Sequence, residues 1–492
     1  MSYAAALDRL HTLGQELAPT PAGAPRRKFD LAHMRTLCAA LGDPQDRFPS
    51  ILIAGTNGKG STAATLAGIL TAAGYRTALY TSPHLRRVNE RIQLSSLSAP
   101  GSPLTEIPDD DFARLYFLVD DTAQRLVSTG QLPHSPSFFE TLTAIAFLYF
   151  AEHHAEIAVL EVGLGGRLDA TNIVHPILSI LTDIAIDHTD YLGPTIPHIA
   201  REKCGILRSG GALITLPQHP ESNQAIGEAA TALNVHAISA GPFVPHTPRP
   251  LSAFSSAGNQ ESPLPRNCYT VTLGGEPLAI DSPLAGEHQR RNIALAIAAA
   301  EHLRNPESYN LSENRPTRNQ SSYNITNSSI EAGIRDTHWP GRLEFLPPNL
   351  LLDVAHNPAG AWSLRAAIAQ LPDDHPRTLL FSCLHDKNLA EMTQILFPLF
   401  DATGSDLSRA RDHIVLAPIA NPRASTIDDL LAAAHALDIP AHAAPHLAAA
   451  LAQARQVTPA DGLIVATGSI YLVGELRHLL ITKPEDMQEA RK

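Results

Sequence analysis

Cysteine is scarce in this 492-residue chain: the four cysteines, Cys38, Cys204, Cys268 and Cys383, lie far apart and form no Cys-x-x-Cys pair. This excludes a zinc ribbon and a disulfide scaffold, and it fits a reduced, cytoplasmic setting. Basic charge is also in deficit. With 37 Lys and Arg against 49 Asp and Glu, the net charge is −12. A nucleic-acid binder carries a basic footprint, so no nucleic-acid partner is expected; a local basic pocket for an anionic ligand remains compatible. No uninterrupted apolar run reaches the roughly 18 residues a spanning helix needs, so no membrane partner is expected. One of the most apolar stretches, 144–151, is bounded by Glu140 and Glu152. The N-terminal 1–17 reads as an amphipathic helix carrying Asp8, Arg9 and Glu16, without the charged-then-apolar order of a signal peptide. Internal repeats are absent too. What is present is a globular composition, 44% apolar and 17% charged, with 39 prolines that imply many loops and defined turns. The length suits two to four domains.

Along the chain, short apolar runs alternate with helical patterns. Residues 51–54 form a strand that stops at the glycine-rich 55–61, and Ala- and Leu-rich 62–73 then reads as a helix closing at Gly74. Strands are expected at 77–80, 157–162 and 177–182, and a helix at 141–150. Strands with glycine and polar residues at their ends, alternating with helices, indicate a mostly parallel α/β sheet. In such sheets ligands gather beyond the carboxyl ends of the strands. Two stretches break the pattern. Residues 241–266 are crowded with Pro, Ser and Gly, and 304–329 are polar and Asn-rich; both read as surface insertions or linkers. After a helix at 292–303, strands at 350–354, 378–382, 413–417 and 463–466 suggest a second α/β unit. A boundary near residue 338 follows, giving domains 1–337 and 338–492.

The segment Gly55-Thr-Asn-Gly-Lys-Gly-Ser-Thr62 has the strand–loop–helix setting of a phosphate loop. Glycines let backbone N–H groups turn toward phosphate oxygens, and the helix presents its positive end. Lys59 reaches a terminal phosphate, while Ser61 or Thr62 offers a hydroxyl to Mg²⁺. The segment departs from the Walker spacing: Gly60 separates Lys59 from Ser61, and Ile53 stands where the first glycine belongs. Glu161 ends an apolar strand, where a carboxylate must be held by a cation or pay for its desolvation. With Ser82 and His188 at neighbouring strand ends, it suggests a divalent-metal site, although Mg²⁺ prefers oxygen ligands and His188 alone reads as a loop histidine. Lys203 alone reads as a surface lysine. Asp353-Val-Ala-His-Asn-Pro358 follows another apolar run; Asp353 suits a ribose hydroxyl and His356 a phosphate, but an Asn-Pro turn with a self-bonded Asp explains the pattern equally. Arg342, after Gly341, is either a hinge arginine or a phosphate clamp.

Taken together, the blocks GTNGKGST (55–62), TSPHL (81–85), SFFETLTAIAF (137–147), EVGLGGRLDATN (161–172), DHTDYLG (187–193), REKCGI (201–206), GEHQRRNIALA (286–296), WPGRLE (339–344), DVAHNP (353–358) and GSIYLVGELR (468–477) resemble one family. It is the folylpolyglutamate synthase and dihydrofolate synthase branch of the Mur ligase superfamily. The blocks keep the family's order and span nearly the whole chain.

The resemblance implies a phosphate-loop, parallel-sheet ATPase domain followed by a smaller Rossmann-like domain. It also implies ATP-dependent ligation of L-glutamate to dihydropteroate and to reduced folates, through an acyl phosphate. By that resemblance Asn57, Gly58, Lys59, Gly60 and Ser61 hold the ATP phosphates. Asn292, Arg342, Asp353 and His356 complete the nucleotide site, and Ser82, Glu161 and His188 bind Mg²⁺. Lys203 matches a lysine carbamylated in the family, whose anionic carbamate joins the metal site; Lys59, Lys203 and His188 are the catalytic set. Ser137, Phe138, Phe139 and Glu140, with Leu168, Asp169 and Ala170, match pteroate-binding segments, and the 29–31 stretch is a further contact. Family habit implies a monomer. Two departures stand out: Val354 replaces a usual glycine and Cys204 a common alanine. A folylpolyglutamate synthase without the dihydrofolate activity is the narrower alternative. A peptidoglycan Mur ligase is disfavoured by Gly60 and the SFFE and GLGGRLDATN blocks, and a simple phosphate-loop kinase by the DVAHNP and GSIYLVG blocks.

Overall fold

The computed structural model describes residues 2–13, 30–96, 103–245, 262–305, 322–372, 375–402 and 411–481. Its first sheet contains β1 (Ser50–Ala54), β2 (Thr77–Tyr80), β3 (Ile92–Ser95), β4 (Leu104–Glu106), β5 (Ile157–Glu161), β6 (Leu178–Leu181), β7 (Ala212–Thr215) and β8 (His236–Ser239). Every residue of β1, β2, β5 and β6 is buried. Strands covered on both faces run as continuous apolar segments, which is why these four were readable without any alternation. The spatial order is β4-β3-β2-β5-β1-β6-β7-β8. The strands are parallel except where β3 pairs with β2 and β4. β1 lies between β5 and β6, so the loops following these three strands open side by side.

A hairpin of β9 (Asn267–Leu273) and β10 (Glu276–Ser282) follows. The second sheet is built from β11 (Glu344–Leu346), β12 (Leu350–Leu352), β13 (Arg377–Phe381), β14 (His413–Leu416), β15 (His442–Ala443) and β16 (Leu463–Thr467). Its order is β11-β12-β16-β13-β14-β15, parallel apart from β11. Each sheet has apolar clusters on both faces. The α/β class expected from the sequence holds in both. No helix among the described residues is long and apolar enough to cross a membrane.

Several boundaries move for local reasons. The helix expected from 62 starts at Lys59, because Gly58 turns the chain at φ 85°. The helix expected from 141 starts at Phe138, where Ser137 and Glu140 cap each other reciprocally. The N-terminal helix covers Tyr3–Thr12 rather than 1–17, and residues 14–29 lie outside the described ones. Residues 246–261 and 306–321 of the two supposed insertions also lie outside them. The end of the second one corrects the surface reading: Ile325 is buried, and the helix Asn327–Arg335, which begins there with Thr326 as its cap, packs against the helix Lys59–Ala72.

Candidate active site

At the end of β1 the chain turns through residues 55–58 into the helix Lys59–Ala72. A Cβ on Gly58 would lie 2.1 Å from Asn292 Oδ1, so no other residue fits this close approach at positive φ. Asn292 comes from the helix Glu287–Arg304 and donates to Gln289 Oε1 at 2.9 Å. No side chain caps the Lys59 helix, which leaves its first N–H groups and its dipole directed at whatever occupies the turn. The Lys59 ammonium donates to Thr56 O at 3.2 Å and stands 4.0 Å from Glu161 Oε1.

Glu161 is buried at the end of β5 and accepts the Ser82 N–H at 3.1 Å. Burial pushes its carboxyl pKa up; Lys59, the Ser82 N–H and Arg342 offset part of that. Arg342 donates to Pro340 O at 2.7 Å, and its guanidinium lies 5.2 Å from the Trp339 ring. Desolvation lowers the Arg342 pKa, against the opposing pull of Glu161 and Asp353. Asp353 follows β12. Its two oxygens accept the N–H groups of Leu343 at 3.0 Å and Ala355 at 2.9 Å; the second is the local self-bond of the turn reading, the first a longer-range bond it did not include. Burial nevertheless pushes it up to about 6.

Lys203, on the helix Ile196–Cys204, is buried and donates to Gly55 O at 2.6 Å, bracing the phosphate loop from below. Burial first, then neighbouring Lys59, push its pKa down to about 7. Beside it, Asp187 gathers groups from both sheets. Lys387 Nζ lies 2.6 Å from its Oδ1, and Asn357 Nδ2 donates to Oδ2 at 3.0 Å. His356 Nε2 stands 3.8 Å away and His188 Nε2 3.9 Å away. Burial alone would raise the Asp187 carboxyl, but Lys387, His188 and His356 hold it well below the usual carboxylate range. Burial and then Lys387 push His188 down to about 3 and His356 to about 4, so both rings are neutral at pH 7. Asn357 also donates to Asn57 Oδ1 at 3.0 Å, tying the phosphate loop directly to the second sheet.

The nine residues read as nucleotide contacts and the four read as metal ligands all line one cleft of about 200 Å³. Within it, Ser82 and Glu161 adjoin, while His188 Nε2 lies 3.3 Å from Lys387 Nζ. Among the described residues no three His, Cys, Asp or Glu side chains stand around one point as a metal cage would require. Mg²⁺ needs none: one or two carboxylates suffice when phosphates and water supply the remaining oxygens. The seven pteroate-segment residues stand behind that lining. Ser137 and Glu140 form the cap, with Glu140 Oε2 accepting the Ser137 N–H at 2.7 Å. Phe138 carries the Arg91 guanidinium 5.4 Å from its ring, and the Phe139 ring covers Gly163, which does line the cleft. Leu168 is half-buried and Ala170 buried. Asp169 is buried, accepting Leu164 N–H at 2.9 Å and Thr171 N–H at 3.0 Å, with burial pushing it up to about 6. Asp30 caps the helix Leu31–Ala40, and Phe29 lies outside the described residues.

Sequence reasoning missed roles for Asp187, Asn357 and Lys387. The first two sit inside quoted motifs, and all three follow the carboxyl ends of parallel strands, the one signal that pointed to them.

Two family models match the chain: the Mur ligase middle domain over residues 115–300, and the Mur ligase glutamate ligase domain over 341–470. The dihydrofolate synthase/folylpolyglutamate synthase of Bacillus subtilis strain 168 is 32% identical over 472 residues, covering 92% of this chain and 95% of the relative. The enzyme of the same name from Mycobacterium tuberculosis is 33% identical over 479 residues, covering 94% and 92%. Among solved structures, Mycobacterium tuberculosis folylpolyglutamate synthase complexed with ADP superposes with a TM-score of 0.74 at 28% identity, covering 98% of this chain and 99% of that one. Escherichia coli FolC in complex with DHPP and ADP gives 0.73 at 26%, covering 100% and 99%. With the motifs in order, the phosphate loop formed and both domain models matched, this chain belongs to the dihydrofolate synthase/folylpolyglutamate synthase family of Mur ligases.

Proposed function

We propose that the protein joins L-glutamate to reduced folates, and to dihydropteroate, in an ATP- and Mg²⁺-dependent amide ligation. The observation that carries this is the convergence of Lys59, Glu161, Arg342 and Asp353, from both sheets, on one cleft above an uncapped helix N-terminus. The γ-phosphoryl group passes from ATP to the substrate carboxylate. Glutamate's amine then attacks the acyl phosphate, and phosphate leaves as the amide forms. Such transfer is mainly positioning and charge neutralisation, which Lys59, Arg342 and the helix N–H groups supply. Mg²⁺, when bound, neutralises phosphate oxygens; Glu161, a buried carboxylate beside Ser82, is the donor fitted to hold it. Lys203 is suited to carboxylation because an amine whose pKa is about 7 is largely neutral above that pH, the form that attacks carbon dioxide. The carbamate so formed gives the clamp a second anionic oxygen ligand.

In this reading residues 1–337 form the ATP-binding domain and 338–492 the glutamate-ligase domain, with the pteroate segments backing the cleft wall at Gly163. The working form in this reading is a monomer, because one chain supplies the whole clamp, and a cytoplasmic one, because its few scattered cysteines suit a reduced setting.

The deciding assay is glutamate-dependent phosphate release from ATP, run with dihydropteroate and separately with a reduced folate monoglutamate. Turnover with both establishes the bifunctional enzyme. Turnover with the reduced folate alone establishes the narrower polyglutamylating enzyme and withdraws the pteroate roles of residues 137–140 and 168–170. Silence with both refutes the substrate assignment.

A further inference from the structure

Trp339 lies on the segment joining the helix Asn327–Arg335 to β11, and no step above uses it. Its Nε1 is buried and has no hydrogen-bond partner among the described residues. A Cβ added to Gly60 would lie 3.1 Å from both Nε1 and Cζ2 of this ring, and 3.3 Å from Glu161 Oε2. The N–H edge of the indole therefore rests against the phosphate loop at the residue that breaks the Walker spacing, beside the carboxylate of the clamp. The Arg342 guanidinium lies over the ring, 5.2 Å from a ring centroid. Trp339 lines a second cavity of about 590 Å³ rather than the nucleotide cleft itself, while Arg342 lines both, so the ring sits in the wall between the two. A buried donor lacking an acceptor is costly, and one kept beside a ligand cleft points to an acceptor that the ligand brings.

We propose that Trp339 is a positioning residue of the phosphate clamp. It spaces Gly60 and Arg342 around the transferred phosphate and donates its indole hydrogen bond to a phosphate oxygen of the bound nucleotide. A side chain at Gly60 would press on this ring and on Glu161 Oε2, so glycine fits there without moving either. The inference rests on the nucleotide occupying this cleft.

The chain has two tryptophans, and the other, Trp362, is 56% exposed, so Trp362→Phe leaves Trp339 as the sole reporter. Titrating that variant with ADP or AMPPCP in Mg²⁺ is expected to change its emission saturably, with the midpoint found by calorimetry. Trp339→Phe, which keeps a ring but loses the N–H, is expected to raise KM for ATP about tenfold, leaving KM for glutamate and the melting temperature unchanged. Gly60→Ala is expected to slow turnover, and Trp339→Phe to recover part of that loss in the double variant. Nucleotide binding with silent emission, or losses from the two substitutions that simply multiply, overturns the proposal. No nucleotide binding by the parent protein overturns the ligase reading along with it.

Discussion

The turns after β1 and β12 start alike and end differently. Each leaves a buried apolar strand, makes a short polar loop and enters a helix. At the first, Gly58 begins the helix with no side-chain cap; at the second, Asn357 caps the helix Pro358–Ile368 by accepting the Gly360 N–H at 2.8 Å. One helix N-terminus is thus open to an anion and the other is closed by its own chain. Side-chain chemistry divides accordingly. The first turn offers backbone N–H groups and Lys59, whereas the second offers Asp353, His356 and Asn357 to whatever the first one holds. In the proposed reading the first turn is therefore the main phosphate holder, with Arg342 and the second turn facing it across the cleft.

The largest expected effect tests the open turn. Lys59→Ala should lower glutamate-dependent phosphate release by about 10²–10³-fold with little loss of stability, since one preorganised charge on the phosphoryl group is removed. Near-normal turnover would move the phosphate elsewhere. Next is the contact joining the two turns' surroundings. Lys387 and Asp187 side chains are only 5% and 8% exposed, so Lys387→Ala leaves a buried carboxylate without its closest cation and should cost roughly 3 kcal/mol in denaturant unfolding. Pairing it with Asp187→Asn should return part of that loss; an additive double variant would show that the two side chains do not depend on each other.

Asn357→Ala removes the cap of the second turn and should cost about 1–2 kcal/mol of stability by the same unfolding measurement. A cost near zero would erase the distinction between the two helix starts. The smallest net effect is a pH dependence within the second turn, where two opposing titrations largely cancel. His356, held at about 4, binds its proton more readily when unfolded, so its contribution to stability falls as pH drops from 6.5 toward 4. Asp353, raised to about 6, binds its proton more readily when folded, so its contribution rises as pH drops from 6 toward 3.8. Relative to its own value at pH 7, His356→Gln should therefore hold its melting temperature better than the parent on acidification, and Asp353→Asn worse. Parallel curves would refute both assignments.

Legibility followed the range of the interactions. β2 emerged with its expected bounds, and β1, β5, β6, β13, β14 and β16 within about one residue at each end, because strands buried on both faces announce themselves as unbroken apolar runs. The edge strands β4, β8, β11 and β15 were not anticipated: they are short and partly exposed, and strand pairing rather than apolar content defines them. The inner strands β3 and β7 and the β9–β10 hairpin were not anticipated either. The helix Asn327–Arg335, whose first turn lies at the end of the polar Asn-rich stretch, was not anticipated because its burial comes from one face packed on a helix far away in sequence. The residues proposed for the nucleotide came from motifs and share one cleft, yet the sequence held no hint of the Trp339 ring resting on Gly60.

What the sequence determined by itself is the set of local frames: strand, glycine turn, helix, and the polar groups at each strand end. Each depends on residues within one strand–helix unit, where backbone sterics and apolar burial leave few choices. What only the tertiary structure decided is which frames face each other. Asp187 meets Lys387 across 200 residues, and Asn57 meets Asn357 across 300. No local preference encodes such pairings; they exist because two independently packed sheets bring their strand ends to the same cleft.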